Sequence, residues 1–206
     1  MSKIDNFKLI EDCINLHPLE SSDEFYFVQI IRRKKDGNEN VSNNKKDNLI
    51  SHFLIDISKN LSYYEEKIKL MCETFNARAY INVNKRSYIK ASKLTLTKSI
   101  SDFTEGNYKA ISRNFLHACG SSESIINKNI WILDVDNRFD SYENYLEILE
   151  SLLKDNFQFI KIIPTVNGYH ILTPPFYKMK FWGLCYTNKI VQPEIKVNSS
   201  TLLYFK

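Results

Sequence analysis

The sequence predicts an α+β fold, with a mixed, largely antiparallel sheet covered by helices. Segments of strand alternation and segments of helical spacing interleave along the chain. Several strand candidates follow one another across short polar turns, as hairpins require, so the regular strand–helix–strand series of a doubly wound parallel sheet is missing. With 43% apolar and 13% aromatic residues, the 206-residue chain can fill a hydrophobic core and is not expected to be disordered. It reads as a single domain, residues 1–206.

In chain order, residues 24–34, EFYFVQIIRRK, are aromatic and β-branched and read as a strand with a basic end. Residues 36–48, DGNENVSNNKKDN, read as a loop expected to be mobile. Residues 49–57 read as a second strand that can pair with the first. Residues 62–77 carry a Ser cap, acidic residues in the first turn, and apolar residues at Tyr64, Ile68, Met71, Cys72 and Phe75, the spacing of a helix. Residues 78–84, RAYINVN, alternate as a strand. Residues 105–118 read as a helix, with Gly120 placed for its C-cap.

Residues 129–135 read as a strand. Residues 141–156 read as an amphipathic helix with Tyr145, Leu146, Ile148, Leu149, Leu152 and Leu153 on one face. Residues 157–164 and 169–174 read as strands joined by TVNG, where Asn167-Gly168 is a two-residue hairpin signal. Residues 176–185 read as a short helix. PEIKVN and TLLYF, within 193–205, read as a closing hairpin around Ser199-Ser200.

The net charge of +4 permits a polyanionic partner without demanding one. No apolar run approaches the ~18 residues of a membrane span, and the N-terminus lacks a signal-peptide core, so a cytoplasmic location is expected. Cys13, Cys72, Cys119 and Cys185 are scattered rather than paired, as buried reduced thiols would be.

The stretch WILDVDN, 131–137, carries the chemistry. Residues i and i+2 of a strand face the same way, so Asp134 and Asp136 project together from the end of an apolar strand. Two carboxylates so close repel unless a cation lies between them or one is protonated. Hard oxygen ligands suit Mg2+ or Mn2+. Downstream, His170 follows the tight turn at Asn167-Gly168. Gly168 lets a phosphate approach the backbone, and an imidazole beside it can donate to a phosphate oxygen.

A strand hhhDhD, a helix, and a hairpin carrying small-x-His resemble the archaeo-eukaryotic primase superfamily, the catalytic core of primase-polymerases. Ile132 to Asp136 match its first motif and Gly168-Tyr169-His170 its second. Glu194, the only acid after Asp155, is the best match to its third, where Asp is more usual. The resemblance covers residues 78–206 and includes no zinc module, attached helicase or P-loop. A small phage or mobile-element member is the expected kind.

The resemblance implies a primase-polymerase-like core and a DNA- or RNA-directed nucleotidyltransferase. Asp134, Asp136 and Glu194 would hold two Mg2+ or Mn2+ ions, and His170 and Gly168 would meet the triphosphate. Arg78, Asn82 and Arg86 on or beside the strand AYINVN would complete a nucleotide pocket. Arg32, Arg33, Lys34 and Lys35 would track a template backbone. The expected partners are a nucleoside triphosphate, a single-stranded DNA or RNA template and a replicative helicase, with no membrane.

Two other readings compete. One is a non-catalytic nucleic-acid-binding or regulatory protein with a primase-like fold. The other is a phosphatase of the haloacid dehalogenase type, which also opens with D-x-D after a strand but has Thr or Val where this chain has Arg138, and needs a longer Rossmann-like remainder.

Overall fold

The computed structural model describes residues 3–34, 47–136 and 142–206. The loop read at 36–48 and the basic Lys35 fall almost wholly outside them. The fold is α+β, built on two antiparallel sheets with six helices among the described residues.

The first sheet has strand order β1-β9-β4-β2-β3, with β1 at Ile4–Asp5, β2 at Glu24–Arg33, β3 at Asp47–Ile55, β4 at Arg78–Ser87 and β9 at Ser200–Phe205. Strand β2 is covered on both faces, so it reads as a nearly unbroken apolar run. Along β2, Tyr26, Val28 and Ile30 enter the main core beside α1 (Phe7–Asn15) and α2 (Leu61–Phe75). Phe25 and Phe27 point the opposite way, onto Ala91 of α3 (Tyr88–Thr104) and Ala118 and Cys119 of α4 (Tyr108–Gly120).

The second sheet has order β6-β7-β5-β8, with β5 at Trp131–Asp136, β6 at Lys161–Pro164, β7 at Gly168–Thr173 and β8 at Glu194–Lys196. One face packs on α5 (Tyr142–Leu153) and α6 (Lys178–Thr187), where Leu133, Val135 and Ile171 meet Tyr145, Ile148, Leu149, Leu153, Phe181 and Cys185. From the opposite face, Ile132, Ile163 and Leu172 join the core of the first sheet.

Three buried polar links stitch the sheets together. Asn6 Nδ2 donates to Pro164 O and to Leu202 O, both at 2.9 Å. Asn84 donates to Ile130 O at 2.8 Å and accepts from Ile130 N at 2.9 Å. His170 Nδ1 meets Thr201 Oγ1 at 2.9 Å. Each satisfies polar groups that would otherwise be buried without partners.

Several expectations need correction. The chain after Ser199-Ser200 does not fold back as a hairpin: β8 lies in the second sheet and β9 in the first. The hairpin of β6 and β7 is present, but Pro164 pairs with Tyr169, and Thr165 N donates to Gly168 O at 2.8 Å. Gly168 is therefore a strand residue, not half of a two-residue turn. The cap of α2 is Asn60, whose side chain accepts from Tyr63 N, not Ser62. The long α3 has no counterpart in the sequence reading. All four cysteines are buried and none forms a disulfide, as expected of reduced thiols. Among the described residues no helix is long and apolar enough to cross a membrane.

Candidate functional site

The site follows from strand parity. In β5, Leu133 and Val135 are committed to the α5–α6 core, so Ile132, Asp134 and Asp136 must face the other way. Ile132 is absorbed by the main core. Asp134 and Asp136 lie further along, where the two sheets diverge into a cleft of about 470 Å3.

Because β5 lies between β7 and β8, Asp134 has a direct neighbour on each side. His170 stands opposite it on β7, and Glu194 on β8. Gly168 stands opposite Asp136, so no side chain of β7 competes for the space beside that carboxylate. The three acids named from the sequence and the histidine therefore share one face of one sheet and line one cleft.

The contacts are specific. His170 Nε2 lies 3.4 Å from Asp134 Oδ1, and its Nδ1 is 2.9 Å from Thr201 Oγ1. Both contacts are satisfied when Nε2–H donates to Asp134 and Nδ1 accepts from the Thr201 hydroxyl. The imidazole is aimed at Asp134 and is 9% exposed, so it orients a carboxylate; the sequence reading had given it to the triphosphate.

The other carboxylate oxygen of Asp134 is taken by a residue that the sequence reading passed over. Lys196 Nζ lies 2.5 Å from Asp134 Oδ2 and 3.3 Å from Glu194 Oε2. The cation that the paired acids call for is supplied by the chain itself. Its signal was legible: Lys196 follows Glu194 by two residues in PEIK, the spacing that had put Asp134 and Asp136 on one face. The His170 hydrogen bond and the Lys196 ammonium hold the Asp134 carboxyl well below the usual carboxylate range, against the opposing effect of burial. Burial lowers the Lys196 pKa, but Asp134 and Glu194 outweigh it, and the net shift is upward.

The wall facing this cluster comes from the first sheet. Ile31, Arg33, Asp47, Arg78, Tyr80, Ser200 and Leu202 line it. Arg33 lies 3.6 Å from Asp47 and donates to Tyr80 Oη at 3.2 Å. The guanidinium of Arg78 stacks over the Phe205 ring at 4.6 Å. One wall is thus acidic with a single lysine, and the other carries two guanidinium groups.

The remaining candidates lie elsewhere. Arg86 is fully buried, donating to Ser121 O at 2.5 Å, Ser124 Oγ at 2.7 Å and Asn198 Oδ1 at 3.1 Å. It anchors two turns and does not line the cleft. Asn82 is buried in β4 opposite Ser200 and is outside the lining. Arg32 points away from Arg33, donating through Nε to Phe75 O at 2.9 Å at the end of α2. Lys34 is exposed just past the end of β2. Of the described residues of that basic run, Arg32 to Lys34, only Arg33 lines the cleft.

The donor chemistry fits a divalent ion. Asp134 and Glu194 present hard oxygen donors to one point, with Asp136 on the same strand face, and the Lys196 ammonium marks where a positive charge is held. No cluster of three or more acidic, His or Cys ligands closes around a common point among the described residues. An ion would therefore have to take the place of Lys196. Comparison with protein-family models, with curated proteins and with solved structures finds no match for this chain.

Proposed function

We propose that the chain is a metal-dependent nucleotidyltransferase with a primase-polymerase-like core, adding nucleotides from a nucleoside triphosphate to a nucleic-acid strand on a template. The observation that carries this reading is the register of β7, β5 and β8. It makes His170 and Glu194 the two lateral neighbours of Asp134, with Asp136 beside them, on the wall of a cleft whose far wall bears Arg33 and Arg78.

Asp134, Asp136 and Glu194 are the residues to hold Mg2+ or Mn2+. When bound, such ions neutralise phosphate charge and align a 3′-hydroxyl for in-line displacement. His170 keeps one oxygen of Asp134 oriented while Thr201 fixes the ring from behind. Arg78, already held over Phe205, offers phosphate a charge whose position needs little further ordering. Gly168 leaves room at Asp136 for a phosphate to approach. Arg33 lines the cleft and is the best placed of the described template-tracking candidates, Arg32, Arg33 and Lys34.

One observation favours a second reading, a non-catalytic nucleic-acid-binding protein that uses the same cleft. Lys196 already bridges Asp134 and Glu194 and offsets one of their two charges, so the pair is held together without an ion. A haloacid dehalogenase-type phosphatase gains no support, because both neighbours of β5 run antiparallel to it.

The test is incorporation of labelled nucleotides on single-stranded DNA with Mg2+ or Mn2+, with and without a primer. Wild-type protein should extend the strand only with metal, and Asp134→Ala/Asp136→Ala should abolish extension. Binding of single-stranded DNA by a folded wild-type protein that incorporates nothing under either metal would overturn the enzyme reading in favour of the second.

A further inference from the structure

We infer that Lys196 is a tethered cation that keeps the carboxylate pair assembled in the absence of metal and competes with a divalent ion for it. This rests on reading the cleft as a cation site.

Three observations support it. The ammonium bridges two carboxylates from different strands, Asp134 on β5 and Glu194 on β8, instead of serving only one. The bridge is not forced by burial: the Lys196 side chain is 25% exposed and that of Glu194 is 70% exposed, so the lysine can swing into the open cleft without unpacking the core. Lastly, Asp134 cannot turn away, because His170 holds its second oxygen and is itself fixed by Thr201. A carboxylate held in place through Oδ1 presents Oδ2 to whichever cation wins, the Lys196 ammonium or a divalent ion.

Without Lys196, Asp134 and Glu194 would face each other across the β5–β8 pair as like charges, which is destabilising at that position. The lysine therefore preserves the site between metal-binding events. It also weakens metal binding, since an incoming ion must break two existing contacts. The displaced ammonium remains in the cleft, whose facing wall carries Arg33 and Arg78, and a polyanion bound there would stabilise it. Metal and a phosphate-bearing ligand are expected to favour each other's binding for this reason.

The experiment is a Mn2+ titration of the full chain, followed by the electron paramagnetic resonance signal of free Mn2+ and needing no turnover. Lys196→Gln should bind Mn2+ about tenfold more tightly than wild type, the size of an ordinary coupling between two ligands that exclude each other. Lys196→Arg, which keeps the charge, should stay near wild type, and adding Asp134→Asn to Lys196→Gln should remove the gain. Equal affinity of wild type and Lys196→Gln, absence of Mn2+ binding by either, or a gain that survives Asp134→Asn would each overturn the inference.

A measurement on wild-type protein guards against a misfolded variant. Mn2+ should increase labelling of the Lys196 amine by an amine-reactive reagent, read by mass spectrometry, and unchanged labelling would count against the proposal. Tight Mn2+ binding by Lys196→Gln, alongside a wild type that incorporates no nucleotide, would leave the tethered cation standing and remove the polymerase.

Discussion

At the scale of single residues, Asp134 is the centre of the site and also its most perturbed group. His170 first, then Lys196, depress its pKa below that of the unfolded chain. A depressed carboxyl contributes stability above its unfolded pKa, about 3.9, and loses it as pH falls through the lower folded value. The difference in melting temperature between wild type and Asp134→Asn should hence stay constant from neutral pH to about pH 5 and close only below about pH 4. A gap that closes near neutrality would mean that Asp134 is not the group concerned. Asp134, Asp136 and Glu194 were legible because strand parity and the shortage of late acids isolate them. Arg86 was misjudged for a physical reason: sequence shows a charge beside a polar strand but not its burial, which here removes the guanidinium from solvent and lowers its pKa to about 10.

At the scale of elements, most strands and helices whose apolar residues face a core were found close to their bounds, and those that break that rule were not. Yet α1, which buries Phe7, Ile10, Cys13 and Ile14, also had no counterpart in the sequence reading, and β6 starts at Lys161, not at residue 157. In α3 the apolar Leu96, Ile100 and Phe103 are exposed, while the buried positions are Ala91 and the charged Asp102. Asp102 is accommodated by Asn114 of α4, which donates to it at 2.9 Å, so polar groups close the end of this helical pair away from the sheet. Periodicity reads such a helix badly because its apolar stripe is not its packed face. Helix α2 illustrates a smaller miss. Its apolar face was plain, but the cap belongs to Asn60, two residues before the Ser that the sequence suggested. Replacing Asn60 by Ala should cost about 1 kcal/mol in chemical denaturation, and Ser62→Ala much less.

At the scale of the whole molecule, the pairing of strands into sheets was the least legible feature. Ser199-Ser200 looks like a hairpin turn, yet the strands on either side pair with different partners, Glu194 with Asp134 and Ser200 with Asn82. Local sequence encodes the turn, whereas the partners are set by contacts distant in the chain. Polar side chains then hold the sheets in place, and Asn84 is the clearest case, because both atoms of its amide serve Ile130. Asn84→Ala should leave a buried N–H and C=O unpaired and lower stability by about 2 kcal/mol in urea unfolding. A loss near zero would show that another group takes over both bonds.

The passage from β8 to β9 has a mechanical meaning. Residues 197–199 carry the chain from β8 on one wall of the cleft to β9 on the other, and Arg86 grips their midpoint through Asn198. Three linking residues extend no further than about 10 Å. At this end the chain itself ties the two walls together, and the buried bonds of Asn6, Asn84 and His170 tie the sheets elsewhere. Glu194 and Lys196 sit next to this short link, so the lysine-bridged acids lie at the end of the cleft where the backbone itself joins the walls.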